Sequence, residues 1–374
     1  MDGALDDLFA GAIQQGVFPG ASLIVGSAGE PFLERSWGST HYHGGRPVGP
    51  HTQYDLASLT KPLVTTTLCL LAVGNGIMQL ESPLDRLMPR RIVPASKTTI
   101  TLFHLLNHCS GLPSYYPFYR DLIAFPPSER RQTLLSWILS SPLANRPGRH
   151  CQYSDLGFQL LGIVLEDLFE RPLDRLASHF LLDPLHIHGL SYRRLRTETS
   201  PTRQPRVEES VRKANFAPTE ACPWRQRLLT GEVHDENAYC LDGVAGHAGL
   251  FGAPRAIFQL LSHLLDVYRG MECDAGLKQD LLRLFWEKPG LDPEGTWALG
   301  YDTPSETGSS AGKRFSRHSV GHLGFTGTSF WIDLEREIIM ILLSNRVHPT
   351  RTNERIKAFR PLAHDLVLEN LNDD

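Results

Sequence analysis

A serine and a lysine three residues apart, backed by a long apolar run, constrain this chain more than any other feature. The lead-in reads Asp55-Leu56-Ala57-Ser58-Leu59-Thr60-Lys61-Pro62; residues 63–73 are mostly apolar, and Gly74-Asn75-Gly76 ends the run. That pattern predicts a buried helix with glycine punctuation at its C-terminus. Residues at i and i+3 share a helix face, so Ser58 and Lys61 meet about one turn apart. Pro62 is tolerated because it falls in the first turn, where a missing N–H breaks no helical bond. A helix start also leaves backbone N–H groups unpaired and carries partial positive charge. A serine hydroxyl is inert without a neighbouring base. A lysine can serve as that base, and the serine's own N–H can hold the oxyanion that forms on attack.

Spacing alone decides little, because Ser210-Val211-Arg212-Lys213 and Ser310-Ala311-Gly312-Lys313 have the same form. The first sits among Glu208, Glu209 and Arg212, a solvated segment. The second sits in a glycine- and serine-rich loop. Only Ser58 has a buried helix behind it. A rival nucleophile pattern, Gly308-Ser309-Ser310-Ala311-Gly312, needs an apolar strand before it and a helix after it. Glu306-Thr307 and Lys313-Arg314 supply neither.

The 374 residues are 41% hydrophobic and 21% charged, enough to bury a large core as one domain or two intimate ones. A net charge of −4 argues against a nucleic-acid surface. No apolar run is expected to approach the roughly 18–20 residues of a membrane span. The acidic start, Asp2 to Asp7, lacks the basic and apolar regions of a signal peptide, so a cytoplasmic location is expected. The six cysteines show no C-x-x-C spacing and are expected to be free. His104 and His108 stand at i,i+4 but lack the glutamate of a metalloprotease helix, and His41 and His43 have no evident third ligand. Both pairs read as structural or exposed. No metal and no cofactor is expected.

Taken in order, the chain reads as a helix over 4–15, strands over 21–25 and 31–37, then the Ser58 helix. A short helix over 101–108 follows, and helices over 128–140, 155–170 and 172–182. Residues 193–215 read as a charged surface loop, and 254–268 as a helix. Antiparallel strands are expected over 297–301, 315–320, 325–333 and 337–344, and a closing helix over 352–371. The fold class is α/β of the α+β kind: one antiparallel sheet built from both termini, flanked by helices, with a mainly helical insertion. The expected layout is one catalytic unit over 1–374. Its sheet part falls at about 1–95 and 245–374, its helical part at about 96–244.

Three separated elements resemble the serine β-lactamase and penicillin-binding-protein superfamily, in the class C β-lactamase-like branch with its esterases and D-peptidases. They are Ser58–Lys61, Tyr153-Ser154-Asp155, and His322-Leu323-Gly324 followed by Phe325. The stretches 105–112 and 246–251 resemble recurring segments of that branch. The resemblance implies a β-lactamase/transpeptidase-like fold and an acyl-enzyme on Ser58. It implies proton transfer through Lys61 and Tyr153, with the N–H groups of Ser58 and Phe325 as oxyanion hole. Asp155, His322 and Gly324 are implied to contact substrate. Two positions depart from the lactamase pattern. Asp155 replaces asparagine and favours a charged Lys61. His322 replaces the lysine that recognises a carboxylate, and a neutral imidazole attracts it less. The expected activity is hydrolysis of a small ester or amide, including D-amino-acid or peptidoglycan-derived amides. The alternatives are a β-lactamase and a non-turnover penicillin-binding sensor.

Overall fold

The computed structural model describes residues 2–195 and 215–372. Ser210, Lys213 and most of the 193–215 loop lie outside the described residues. The strands are β1 (Gly20–Gly26), β2 (Pro31–Gly38), β3 (Tyr54–Asp55), β4 (Leu190–Tyr192), β5 (Ala221–Cys222), β6 (Arg227–Leu228), β7 (Leu250–Gly252), β8 (Ser319–Leu323), β9 (Ser329–Asp333) and β10 (Ile338–Ser344). The main sheet has the order β2-β1-β10-β9-β8 and is antiparallel throughout. It takes strands from both ends of the chain, as expected.

The sheet is covered on both faces, which is why β1 and β10 read as continuous apolar runs rather than as alternation. The register sets Leu23 against Leu342 and Ile24 against Ile341. Side chains alternate faces along a strand. Leu23, Val25, Met340 and Leu342 pack with Phe9 and Phe359 of the helices Asp2–Gln14 and Ile356–Asn372. Ile24, Ile339 and Ile341 face the larger core, which includes Ile257, Leu261 and Leu265 of the helix Pro254–Arg269.

The Ser58 segment is buried as expected but is not one uniform helix. It starts as a 3₁₀ turn at Ala57–Leu59, widens to a π-helical turn at Lys61–Thr66, and becomes α-helical at Thr67–Gly74. Ala57–Gly74 has the length and composition of a membrane-crossing helix, yet 83% of it is buried inside the fold, where it serves as a core helix.

Two expectations fail. Residues 297–301 form no strand: Trp297 bridges to Asp302, and Ala298 N–H donates to the Tyr301 carbonyl across a tight turn. Gly300 (φ 79°) makes that turn where any Cβ would strike Thr66. The cysteines are not all free either. Cys109 and Cys151 form a disulfide, while Cys69, Cys222, Cys240 and Cys273 stay reduced. Their separation of 42 residues carries no local signal. The fold brings them together because Gln152 N–H donates to the His108 carbonyl and Gly148 N–H to the Cys109 carbonyl. The short helices Glu236–Cys240 and Gln279–Trp286 were also not legible in the sequence.

Candidate active site

Ser58 sits on the 3₁₀ turn, and Lys61 enters the wide turn one step later. This geometry points the lysine back along the helix, so Lys61 Nζ donates to Ser58 Oγ at 2.9 Å. Tyr153 comes from the segment just before the helix Asp155–Phe169, and its hydroxyl donates to Ser58 Oγ at 2.7 Å. Two side chains from distant segments thus converge on the Ser58 oxygen. Lys61 is fully buried and spends its other donors on Asp155 Oδ1 at 2.7 Å and the His247 carbonyl at 3.2 Å.

The charges follow from these contacts. Burial pulls the Lys61 ammonium towards neutrality, but Asp155 and then Tyr153 outweigh it, and its pKa ends above the ordinary lysine value. Burial pushes the Tyr153 phenol up to about 12, with Lys61 opposing. At neutral pH the resting site therefore holds a lysine cation, paired with Asp155, and a neutral tyrosine. Both neighbours donate to Ser58 Oγ, so the serine's proton has no acceptor until the lysine–tyrosine pair loses one.

Phe325 follows β8, at the turn into β9. This turn is fastened to the Ser58 segment by Thr326 Oγ1 donating to the Asp55 carbonyl at 2.6 Å and Thr328 Oγ1 donating to the Leu56 carbonyl at 3.2 Å. Gly324 is required by that closeness: a Cβ there would lie 2.0 Å from Thr328 Oγ1 and 2.6 Å from the Leu56 oxygen. Among the described residues, neither Ser58 N–H nor Phe325 N–H has a protein acceptor.

His322 lies beside Tyr153 and Trp297, with ring centroids 6.1 and 5.7 Å away, and is only 2% exposed. Its Nδ1 donates to the Leu323 carbonyl at 2.8 Å, which leaves Nε2 unprotonated, buried and without a protein partner. Burial, reinforced by Lys61, pushes the imidazole down to about 3. The imidazolium considered from the sequence does not form near neutral pH.

A family model, Beta-lactamase, matches residues 5–364. The chain belongs to the beta-lactamase family. It is similar to N-acetylmuramyl-L-alanine amidase of Bacillus subtilis (strain 168), 32% identical over 352 residues, covering 88% of this chain and 78% of that protein. It is also similar to a putative D-alanyl-D-alanine carboxypeptidase of Salmonella agona (strain SL483), 26% identical, covering 91% of this chain and 81% of that protein. Among solved structures, the octameric penicillin-binding protein homologue from Pyrococcus abyssi superposes with a TM-score of 0.71 at 19% identity, over 99% of this chain and 78% of that one. EstCE1, a hydrolase with promiscuous acyltransferase activity, gives 0.70 at 18%, over 96% and 97%. These two establish a shared fold. The protein is a serine hydrolase of this family.

Several site neighbours in this beta-lactamase-family chain escaped the sequence reading. His108 leaves its helix at φ 60° and turns into the site, so it does not share a helix face with His104. Its Nδ1 accepts from Ser154 N–H at 3.1 Å, and its ring packs 4.7 Å from Tyr153 and 4.5 Å from Trp297. His247 Nε2 meets Asp235 Oδ1 at 2.9 Å beside Lys61. The glycine-rich segment carrying His247 did resemble the family, but nothing in the sequence linked it to Asp235. Trp297 carried no signal at all.

Proposed function

We propose that Ser58 attacks the carbonyl of a small ester or amide and carries the acyl group, which water then removes. The observation that carries this reading is the convergence of Lys61 Nζ and Tyr153 OH on Ser58 Oγ, at 2.9 and 2.7 Å. Once the Lys61–Tyr153 pair is deprotonated it accepts the serine proton, and it returns that proton to the leaving group. The unpaired N–H groups of Ser58 and Phe325 stabilise the tetrahedral oxyanion; one such donor is typically worth roughly 10²–10³ in rate. Asp155 holds Lys61, while His322 and Gly324 shape the β8 wall.

The amidase and carboxypeptidase names of the curated relatives support a substrate of the amide kind, including D-amino-acid or peptidoglycan-derived amides, and the same acyl transfer serves a small ester. A β-lactamase reading is weaker, because the third element offers a buried neutral imidazole where a carboxylate-binding cation is needed. Ser58→Ala should abolish hydrolysis of short-chain nitrophenyl esters and leave the fold intact, whereas Ser310→Ala should change little. Loss of activity in Ser310→Ala alone would overturn the assignment. Cephalosporin turnover with kcat/KM of about 10⁴ M⁻¹s⁻¹ or more would favour the β-lactamase reading instead. The Cys109–Cys151 bond favours an oxidising compartment over the expected cytoplasm. Fractionation of cells carrying the tagged protein decides between the two.

A further inference from the structure

Asp55 precedes Ser58 by three residues and takes no part in the chemistry just described, yet its buried carboxylate is divided between two segments. Oδ1 accepts from Ala57 N–H at 2.9 Å, and Oδ2 accepts from His234 N–H at 2.6 Å. Ala57 stands in the left-handed region at φ 47°, which a non-glycine residue keeps only when its surroundings hold it there. The turn that presents Ser58 thus depends on an acceptor for Ala57 N–H, and Asp55 supplies it.

The other bonds of Asp55 reach the opposite side of the site. Its backbone carbonyl accepts from Thr326 Oγ1 at 2.6 Å, one residue beyond Phe325. Oδ2 fixes His234, whose ring stacks on the Phe325 ring at a centroid distance of 5.5 Å. One residue therefore touches the nucleophile turn, the Phe325 turn and the wall behind Phe325. We infer that Asp55 is a positioning residue, whose carboxylate and carbonyl lock the Ser58 and Phe325 N–H groups into one oxyanion-binding geometry. The inference rests on the reading of Ser58 as nucleophile and of those two N–H groups as oxyanion hole. Alignment matters because such donors act only when aimed at the position the oxyanion takes in the transition state, and small displacements lose much of their effect.

Asp55→Asn tests this, since an amide keeps one acceptor and turns an NH₂ towards a backbone N–H. The variant should fold, with kcat for a nitrophenyl ester reduced about tenfold or more and KM within about twofold of wild type. Affinity for an arylboronic acid, which forms a tetrahedral adduct on a nucleophilic serine, should fall by the same factor as kcat. Thr326→Val removes only the third tie and should move both quantities in the same direction, by about threefold. A folded Asp55→Asn with wild-type kcat and boronate affinity overturns the inference, as does one that raises KM alone. If Asp55→Asn does not fold, Thr326→Val decides, and wild-type kcat there overturns it. Ser58→Ala separates the two layers: boronate affinity surviving in that variant would remove the nucleophile reading, and the inference with it.

Discussion

At the scale of single residues, Asp155 sets when this site can work. It lies 2.7 Å from Lys61 Nζ, and the lysine's raised pKa means that the ammonium persists through neutral pH. In the proposed mechanism the Lys61–Tyr153 pair must lose a proton before it can take one from Ser58, so kcat/KM for a neutral ester should rise with pH along a limb that belongs to the pair. Asp155→Asn removes the anion that opposes the burial penalty. Lys61 then loses its proton more readily, and the limb should move to lower pH; an unmoved limb would contradict this sign. His322 leads to a second expectation. Buried, with its pKa pushed down to about 3, it cannot become a cationic carboxylate anchor on mild acidification. KM for a carboxylate-bearing ester should track that of a neutral ester between about pH 5.5 and 8.5, and improvement of the former alone would show the ring charging. The departures at Asp155 and His322 were legible in the sequence. The burial of His322, which decides its charge, was not, because burial depends on Trp297 and Tyr153 arriving from distant segments.

At the scale of elements, the site depends on how two loops are sewn together. The segment after the helix Leu102–Leu106 and the segment around Tyr153 share the Gln152–His108 backbone bond, the bond from Ser154 N–H to the His108 ring and the Cys109–Cys151 disulfide. A crosslink closing 42 residues is worth about 4 kcal/mol at most by the loop-entropy argument, and such bonds typically deliver about 2–4 kcal/mol. Replacing both cysteines with serine should cost about that much in urea unfolding. It should also lower kcat more than KM, because Tyr153 stands two residues from the bond. A double variant with full stability and full kcat would show that the hydrogen bonds suffice. Helix and strand periodicity carried most elements within a few residues. The turn at Gly300 and the left-handed turn at His108 were missed because their conformations are set by tertiary contacts: Thr66 crowds Gly300, and Ser154 bonds the His108 ring.

At the scale of the whole molecule, one antiparallel sheet made from both chain ends carries β8 and the Phe325 turn on its edge, while the Ser58 segment packs beneath them. The sheet was readable because β1 and β10 are apolar on both faces, and the pairing of Ile24 with Ile341 fixes their register. Ile341→Ala, at the centre of that pairing, should cost about 2–5 kcal/mol; a loss well under about 1 kcal/mol would mean the core is not organised around this strand. In the proposed mechanism all of this architecture serves the nucleophilicity of Ser58. It is tested most directly by exposing the protein to a fluorophosphonate and mapping the modified peptide by mass spectrometry. One adduct is expected, on Ser58, absent in Ser58→Ala. An adduct on Ser310 or Ser309, or an adduct of unchanged yield in Ser58→Ala, would contradict it.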